Sequence, residues 1–231
     1  MKYEMLIFDL DDTLFDYKAT ERDALQRACV YFGLLSNEAM YEIFKQANSK
    51  AKKMVPNYLT NFNEFRNARA TIFLDSIHAT NCSPKDFVEK FLEFSTIGIL
   101  MDGVSSTLER LADVKKIVAT NGSTYPRKNK LDNSTIAKHF CAFYSSEDIG
   151  FNKPSPKFFD RILSEHPTQK SKVLVIGDNA EIDGRGALSA GLNCCIVNGS
   201  QEVQKVALNL GLYCVPTFSG IWAICDGRLT Q

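Results

Sequence analysis

The sequence predicts an α/β fold: a mostly parallel, doubly wound sheet with a helical segment inserted after its first strand. Three observations carry that prediction. Short apolar runs recur, each followed at once by small or polar residues: Met5-Leu6-Ile7-Phe8 before Asp9, Ile117-Val118-Ala119 before Thr120-Asn121-Gly122, and Val173-Leu174-Val175-Ile176 before Gly177-Asp178. Between the later runs, apolar residues recur at helical spacing. Residues 17–98 break this alternation and contain no run that reads as a buried strand. Strands alternating with helices build a parallel sheet covered on both faces, and such sheets bind ligands at the carboxyl ends of their strands.

Taken in order, Met5-Leu6-Ile7-Phe8 is apolar without alternation, as expected of a strand buried on both faces. The segment 17–98 carries helix-like stretches at 24–32, 38–46 and 66–77, and reads as a helical cap domain over the crevice. The core domain is then residues 1–16 and 99–231. A helix follows at 104–111, a strand at 117–119, and a shorter strand at 142–144. Phe158-Phe159 with Ile162-Leu163 marks another helix, 173–176 the next strand, and 187–190 a helix closed by Gly191 as C-cap. Cys194-Cys195-Ile196-Val197 forms a further strand leading into Asn198-Gly199.

The 231 residues suit one domain with a large insertion or two small domains. Lysine plus arginine and aspartate plus glutamate both number 27, so the balanced charge predicts no nucleic-acid polymer as partner. The N-terminus enters a strand at once, without a basic and then long apolar segment, so no secretion signal, no membrane span and a cytoplasmic location are expected. Seven cysteines, an odd number without a Cys-x-x-Cys pair, read as buried, reduced thiols.

The chemistry begins at Asp9-Leu10-Asp11-Asp12-Thr13. Carboxylates at the end of a buried strand need a cation or a proton to compensate them. Each polar segment alone has an ordinary reading: an acidic turn here, a turn at Thr120-Asn121-Gly122, a surface loop at Lys153-Pro154, a helix cap at Asp178. Taken singly, those readings stay open. Other chemistries lack their residues. His78, His139 and His166 lie outside these segments, no Gly-x-Ser-x-Gly occurs, and Val104 follows Gly103 where a phosphate-binding loop requires lysine.

The four segments, in this order, resemble the motifs of the haloacid dehalogenase-like (HAD) hydrolase superfamily. The matching residues are Asp9-Leu10-Asp11-Asp12-Thr13-Leu14, Ala119-Thr120-Asn121-Gly122, Gly150-Phe151-Asn152-Lys153-Pro154 and Gly177-Asp178-Asn179-Ala180-Glu181-Ile182-Asp183. The resemblance implies a Rossmann-like core with the helical cap of subfamily I. It gives Asp9 the role of nucleophile and Asp11 that of general acid and base. Mg²⁺ would be held by Asp9, Asp178 and the backbone carbonyl of Asp11. The Thr120 hydroxyl, the Asn121 backbone N–H and Lys153 would hold the phosphoryl oxygens, and Lys153 would also position Asp9. Asp183 would orient Lys153 and the metal's surroundings, with Thr13 beside them.

Asp11 favours phosphoryl transfer, because the dehalogenases of the superfamily lack this second aspartate. Lys50, Lys52 and Lys53 leave open a phosphonate-cleaving reading through a cap lysine, against the plainer one of a solvated helix face. The segments Asp12-Thr13-Leu14-Phe15-Asp16 and Ser146-Glu147-Asp148-Ile149-Gly150-Phe151 look like those of YjjG/YfnB-like phosphatases, some of which are 5′-nucleotidases. Arg127, Lys128 and Lys130, and also Gly184-Arg185, depart from that subgroup. The resemblance therefore implies a Mg²⁺-dependent phosphatase hydrolysing a small phosphate monoester through an aspartyl-phosphate, with a nucleoside 5′-monophosphate as leading substrate. A sugar-phosphate phosphatase, a phosphomutase and an idle binding protein of the same fold are the alternatives. In the cap, Arg69 and Arg66, with Tyr58, Phe62 and Phe65, are the residues expected to meet the leaving group.

Overall fold

The computed structural model describes residues 1–58, 60–197 and 199–228, so Asn198, expected just after a strand, lies outside the described residues. The chain divides into two compact units. The first comprises Met1–Asp16, Ile99–Thr124 and the chain from Ser134 onward; the second comprises Tyr17–Gly98 and Tyr125–Asn133. Tyr125–Asn133, which the sequence reading assigns to the core with the rest of 99–231, groups with the second unit. Asn133 shows why: its Nδ2 donates to Thr96 Oγ1 at 3.2 Å, tying this segment to the end of the helical insertion.

Six strands form the sheet of the first unit: β1 (Met5–Phe8), β2 (Lys115–Thr120), β3 (Ala142–Ser145), β4 (Val173–Gly177), β5 (Asn193–Val197) and β6 (Tyr213–Val215). Their order is β3-β2-β1-β4-β5-β6, and every pairing is parallel. The chain moves outward from β1 to β3, returns to the other side of β1, and moves outward again. This doubly wound order puts the topological switch at β1. Phe8 is in register with Val118 on one side and Ile176 on the other, so the residues after β1, β2 and β4 emerge at one edge. Strand β6 was not expected, because three residues are too short a run to stand out by pattern.

All four β1 residues are fully buried. Met5 and Ile7 face one side with Ile117, Val175, Cys194 and Ile196, packed on Phe158, Phe159 and Ile162. Phe8 faces the other side, its ring 5.8 Å from Phe140 and 5.9 Å from Phe218. Removing a phenylalanine side chain from water contributes about 1.5–3 kcal/mol, so this strand anchors the end of the sheet that carries Asp9.

The helices are α1 (Tyr17–Tyr31), α2 (Glu38–Met54), α3 (Phe62–Ser76), α4 (Pro84–Ser95), α5 (Val104–Arg110), α6 (Thr124–Asp132), α7 (Ser146–Ile149), α8 (Pro156–Glu165), α9 (Arg185–Ser189), α10 (Gln201–Asn209) and α11 (Ile221–Cys225). In the second unit, Ala24, Ala28, Phe44, Phe73, Phe87 and Phe91 form the core. Helix α4 went unread, although Ser83 caps it through the Asp86 N–H at 3.2 Å and Pro84 opens it. All seven cysteines are free; Cys141 is exposed and Cys82 and Cys214 are half-buried, against the expectation of uniformly buried thiols. Among the described residues no helix is long and apolar enough to cross a membrane.

Candidate active site

The site forms where β1, β2 and β4 end. Asp9 continues the β1 ladder, its N–H donating to Ile176 O at 2.8 Å, so its position is fixed by the sheet. The chain then folds back: Leu14 and Phe15 N–H groups both return to Leu10 O, and Asp12 takes a positive φ of 61°. This tight loop brings Thr13 Oγ1 to 3.4 Å from both Asp9 Oδ2 and Asp178 Oδ1. Asp11 lies in the same loop and is partly exposed.

Lys153 is the pivot. Its ammonium donates to Asp9 Oδ1 at 2.7 Å, to Asp183 Oδ1 at 2.6 Å and to Ala119 O at 2.9 Å. Three donors thus meet three acceptors, which is what a buried ammonium requires. Asp183 reaches this position because the chain after β4 turns tightly. Asn179 Oδ1 accepts from the N–H groups of Glu181 and Ile182 at 3.0 Å each, and Asp183 Oδ2 accepts from Asn179 N at 3.2 Å. Gly177 makes the approach possible, since a Cβ there would lie 2.3 Å from Asp183 Oδ2. Gly186 does the same for the lysine loop, because its Cβ would lie 3.0 Å from Pro154 Cα.

Thr120 ends β2 and is buried. The following loop is braced by the chain after β3. Gly122 N donates to Ser146 Oγ at 2.8 Å, Thr124 N to Glu147 Oε2 at 2.7 Å, and the hydroxyls of Thr124 and Ser145 are 2.6 Å apart. The Asn121 side chain turns toward Lys153: its Oδ1 accepts from Lys153 N at 2.8 Å and its Nδ2 donates to Lys153 O at 2.9 Å.

Charge at the site is unbalanced. Oxygens of Asp9, Asp178 and Asp183 lie within 4.8 Å of one another, and the Lys153 ammonium pairs with Asp9 and Asp183. Burial pushes the Asp9 carboxyl up to about 6, against the pull of Lys153, with Asp183 and Asp11 adding to the rise. Burial pushes Asp178 up to about 7, helped by Asp9, Asp183 and Asp12. Burial opposes the charge on Lys153, but Asp183 and Asp9 more than offset it and hold the group above the usual lysine range. An oxygen-only donor set with surplus negative charge fits a hard divalent cation such as Mg²⁺. Both Asp183 oxygens are engaged, Oδ1 with Lys153 and Oδ2 with Asn179 N, which leaves Asp9 and Asp178 as the better metal ligands.

The structure therefore brings Asp9, Thr13, Lys153, Asp178 and Asp183 together, with Thr120 at the end of β2 and Asn121 on the loop that follows. The two arginines belong to the helical unit. Arg69 is buried there, 3.4 Å from Glu21 Oε1 and from Asn48 Oδ1, with its guanidinium over Phe44 at 4.5 Å and Phe91 at 4.9 Å. Arg66 is half-buried and lies over the Phe62 ring at 5.7 Å. Sequence reading missed Ser146 and Glu147 as braces, and the use of the Asn121 side chain. A serine or glutamate in a loop signals a partner only once the fold supplies the donor.

Known proteins resemble this chain. The family model for haloacid dehalogenase-like hydrolases matches residues 3–191. The chain is 26% identical over 207 residues to the pyrimidine 5′-nucleotidase YjjG of Escherichia coli, covering 88% of this chain and 90% of that protein. It is 27% identical over 200 residues to the pyrimidine 5′-nucleotidase PynA of Streptococcus pneumoniae, covering 84% and 83%. The magnesium-bound structure of the HAD-hydrolase YfnB from Bacillus subtilis matches with a TM-score of 0.78 at 23% identity, over 98% of this chain and 100% of that one, and shares the fold. With the family match spanning most of its length, and the four motif segments gathered at one edge of a doubly wound sheet, the chain belongs to the haloacid dehalogenase-like hydrolases.

Proposed function

We propose that this hydrolase is a Mg²⁺-dependent phosphatase of small phosphate monoesters, with a nucleoside 5′-monophosphate as its substrate. The observation that carries this reading is the Asp9 carboxylate, fixed at the sheet edge by Lys153 and grouped with Asp178 in an oxygen-rich cluster. The nucleotide preference draws on relatives named as pyrimidine 5′-nucleotidases at 26% and 27% identity.

In the first step an Asp9 oxygen attacks phosphorus and the ester P–O bond breaks, forming an aspartyl-phosphate. The departing alkoxide takes the proton of Asp11. Asp11 then accepts a proton from the water that attacks phosphorus; the bond from phosphorus to Asp9 breaks, and inorganic phosphate leaves. Lys153 holds Asp9 in line and stays charged throughout, since Asp183 shares it. The Thr120 hydroxyl and the Asn121 N–H receive the phosphoryl oxygens. Held by Asp9, Asp178 and the Asp11 carbonyl, Mg²⁺ would supply charge that offsets repulsion between carboxylate and phosphate. In the helical unit, Arg69 is enclosed by Glu21, Asn48 and two phenylalanines, which supports a structural role for it there.

Phosphate release from a panel of nucleoside 5′-monophosphates and sugar phosphates tests the assignment. A kcat/KM for pyrimidine nucleotides at least about tenfold above that for the sugar phosphates is the expected result. Equal rates across the panel would remove the nucleotide preference and leave a general phosphatase.

A further inference from the structure

Asn121 lies in the loop that ends β2, yet its side chain is spent on another loop. Both ends of the amide are used, and both partners belong to the backbone of Lys153, 32 residues away in the chain. A donor and an acceptor set side by side fix both the position and the direction of a peptide unit, as a neighbouring strand does. Lys153 needs such control. Its side chain is 1% exposed, and its three protons point at Asp9, Asp183 and Ala119 O with no slack. The clamp itself stands on firm ground, because Ser146 and Glu147 hold the N–H groups of Gly122 and Thr124 beside it.

We propose that Asn121 is a positioning residue for Lys153: its side-chain amide sets the height of the lysine backbone so that the ammonium meets Asp9 and Asp183. The residue type is demanded by the bonding. Aspartate accepts from Lys153 N but sets an anionic oxygen against Lys153 O. Alanine does neither, and glutamine is one methylene too long. The kinetic consequence rests on the phosphatase reading above; the placement of Lys153 does not.

The test uses full-length protein with Mg²⁺ present, as wild type, Asn121→Ala and Asn121→Asp. Acylation of individual lysines by an amine-reactive anhydride is followed by peptide mass spectrometry. Lys116 serves as the internal reference: it is 2% exposed, and its Nζ donates to Val114 O at 2.9 Å, away from the site. In Asn121→Ala, Lys153 is expected to label about tenfold faster while Lys116 keeps its wild-type rate, with Asn121→Asp between the two. In parallel, Asn121→Ala should lower kcat for p-nitrophenyl phosphate about tenfold with KM nearly unchanged, and under about twofold when Lys153 is already methionine. Lys153 labelling that does not change, or that rises in step with Lys116, would overturn the proposal. So would an equal loss of kcat in both backgrounds. Wild-type protein that turns over no phosphate ester would sink the phosphatase reading alone, since the labelling pattern decides the placement of Lys153 by itself.

Discussion

Lys153 Nζ stands 2.7 Å from Asp9 Oδ1 and 2.6 Å from Asp183 Oδ1, and bridges the carboxylate that follows β1 to one on the turn after the adjacent parallel strand β4. One cation thus fixes the group expected to attack phosphorus and ties it to the turn that carries Asp178. Replacing it by methionine leaves buried carboxylates without their partner. Lys153→Met should lower stability by about 3–5 kcal/mol in urea unfolding and reduce kcat by a factor on the order of a hundred. Activity that survives within about twofold would show that the bridge is structural only.

The two raised carboxyls predict how stability responds to pH. Asp9 at about 6 and Asp178 at about 7 lie above their ordinary value of 3.8. The folded chain therefore holds protons that the unfolded chain has released, and this contribution is fully present below about pH 4 and lost as pH rises through 6 and 7. Metal-free protein should accordingly show a Tm that falls between about pH 5 and about pH 8. Mg²⁺ held by the ionised pair would compete with these protons, so the Tm gained on adding it should be larger at the higher pH. A gain that is the same at both ends would contradict the placement of the cation at these carboxylates.

Gly177 offers a steric test. A methyl group there would lie 2.3 Å from Asp183 Oδ2, and the carboxylate would have to move. Gly177→Ala should cost about 1–3 kcal/mol in stability through overpacking. It should also lower kcat by at least about tenfold, because Lys153 loses an anchor. Wild-type activity and melting together would mean that Asp183 has another place to go.

Arg69 should act on the helical unit. Its guanidinium, enclosed by aromatic rings, faces the Glu21 carboxylate, itself only 11% exposed. Arg69→Ala should destabilise the protein by about 1–3 kcal/mol and speed amide exchange in α1 and α3, which hydrogen-exchange mass spectrometry reads directly. An unchanged exchange pattern with a raised KM would instead restore the substrate contact read from the sequence.

The fold could be read from the sequence wherever burial left a local pattern. Strands β1, β2, β4 and β5 are apolar runs with polar ends, and the sheet keeps them as such. Strand β6 has three residues, and nothing local marks it. Tyr125–Asn133 groups with the helical unit, and a hydrogen bond from Asn133 to Thr96, 37 residues apart, is one contact there that no periodicity announces. The same division holds at the site. Asp9 stood out as a charge at the end of a buried strand, where burial makes charge expensive, whereas Lys153 and Asp178 were picked out by the family resemblance, since each alone reads as an ordinary loop or cap residue. The second duty of Asn121 and the brace at Ser146 are made only by neighbours distant in the chain.

In the proposed mechanism Asp9 is the group that attacks phosphorus. Asp11→Asn is the variant to use, because loss of the proposed general base should slow hydrolysis of the intermediate. A substrate with a good leaving group, p-nitrophenyl phosphate, needs little help from an acid in the first step. After rapid mixing with Mg²⁺ and acid quench, peptide mass spectrometry should find one phosphoryl group on the peptide carrying Asp9, and none in the Asp9→Asn, Asp11→Asn double variant. A phosphoryl group on another residue, or turnover in the parent with no covalent phosphate trapped in the variant, would contradict the account.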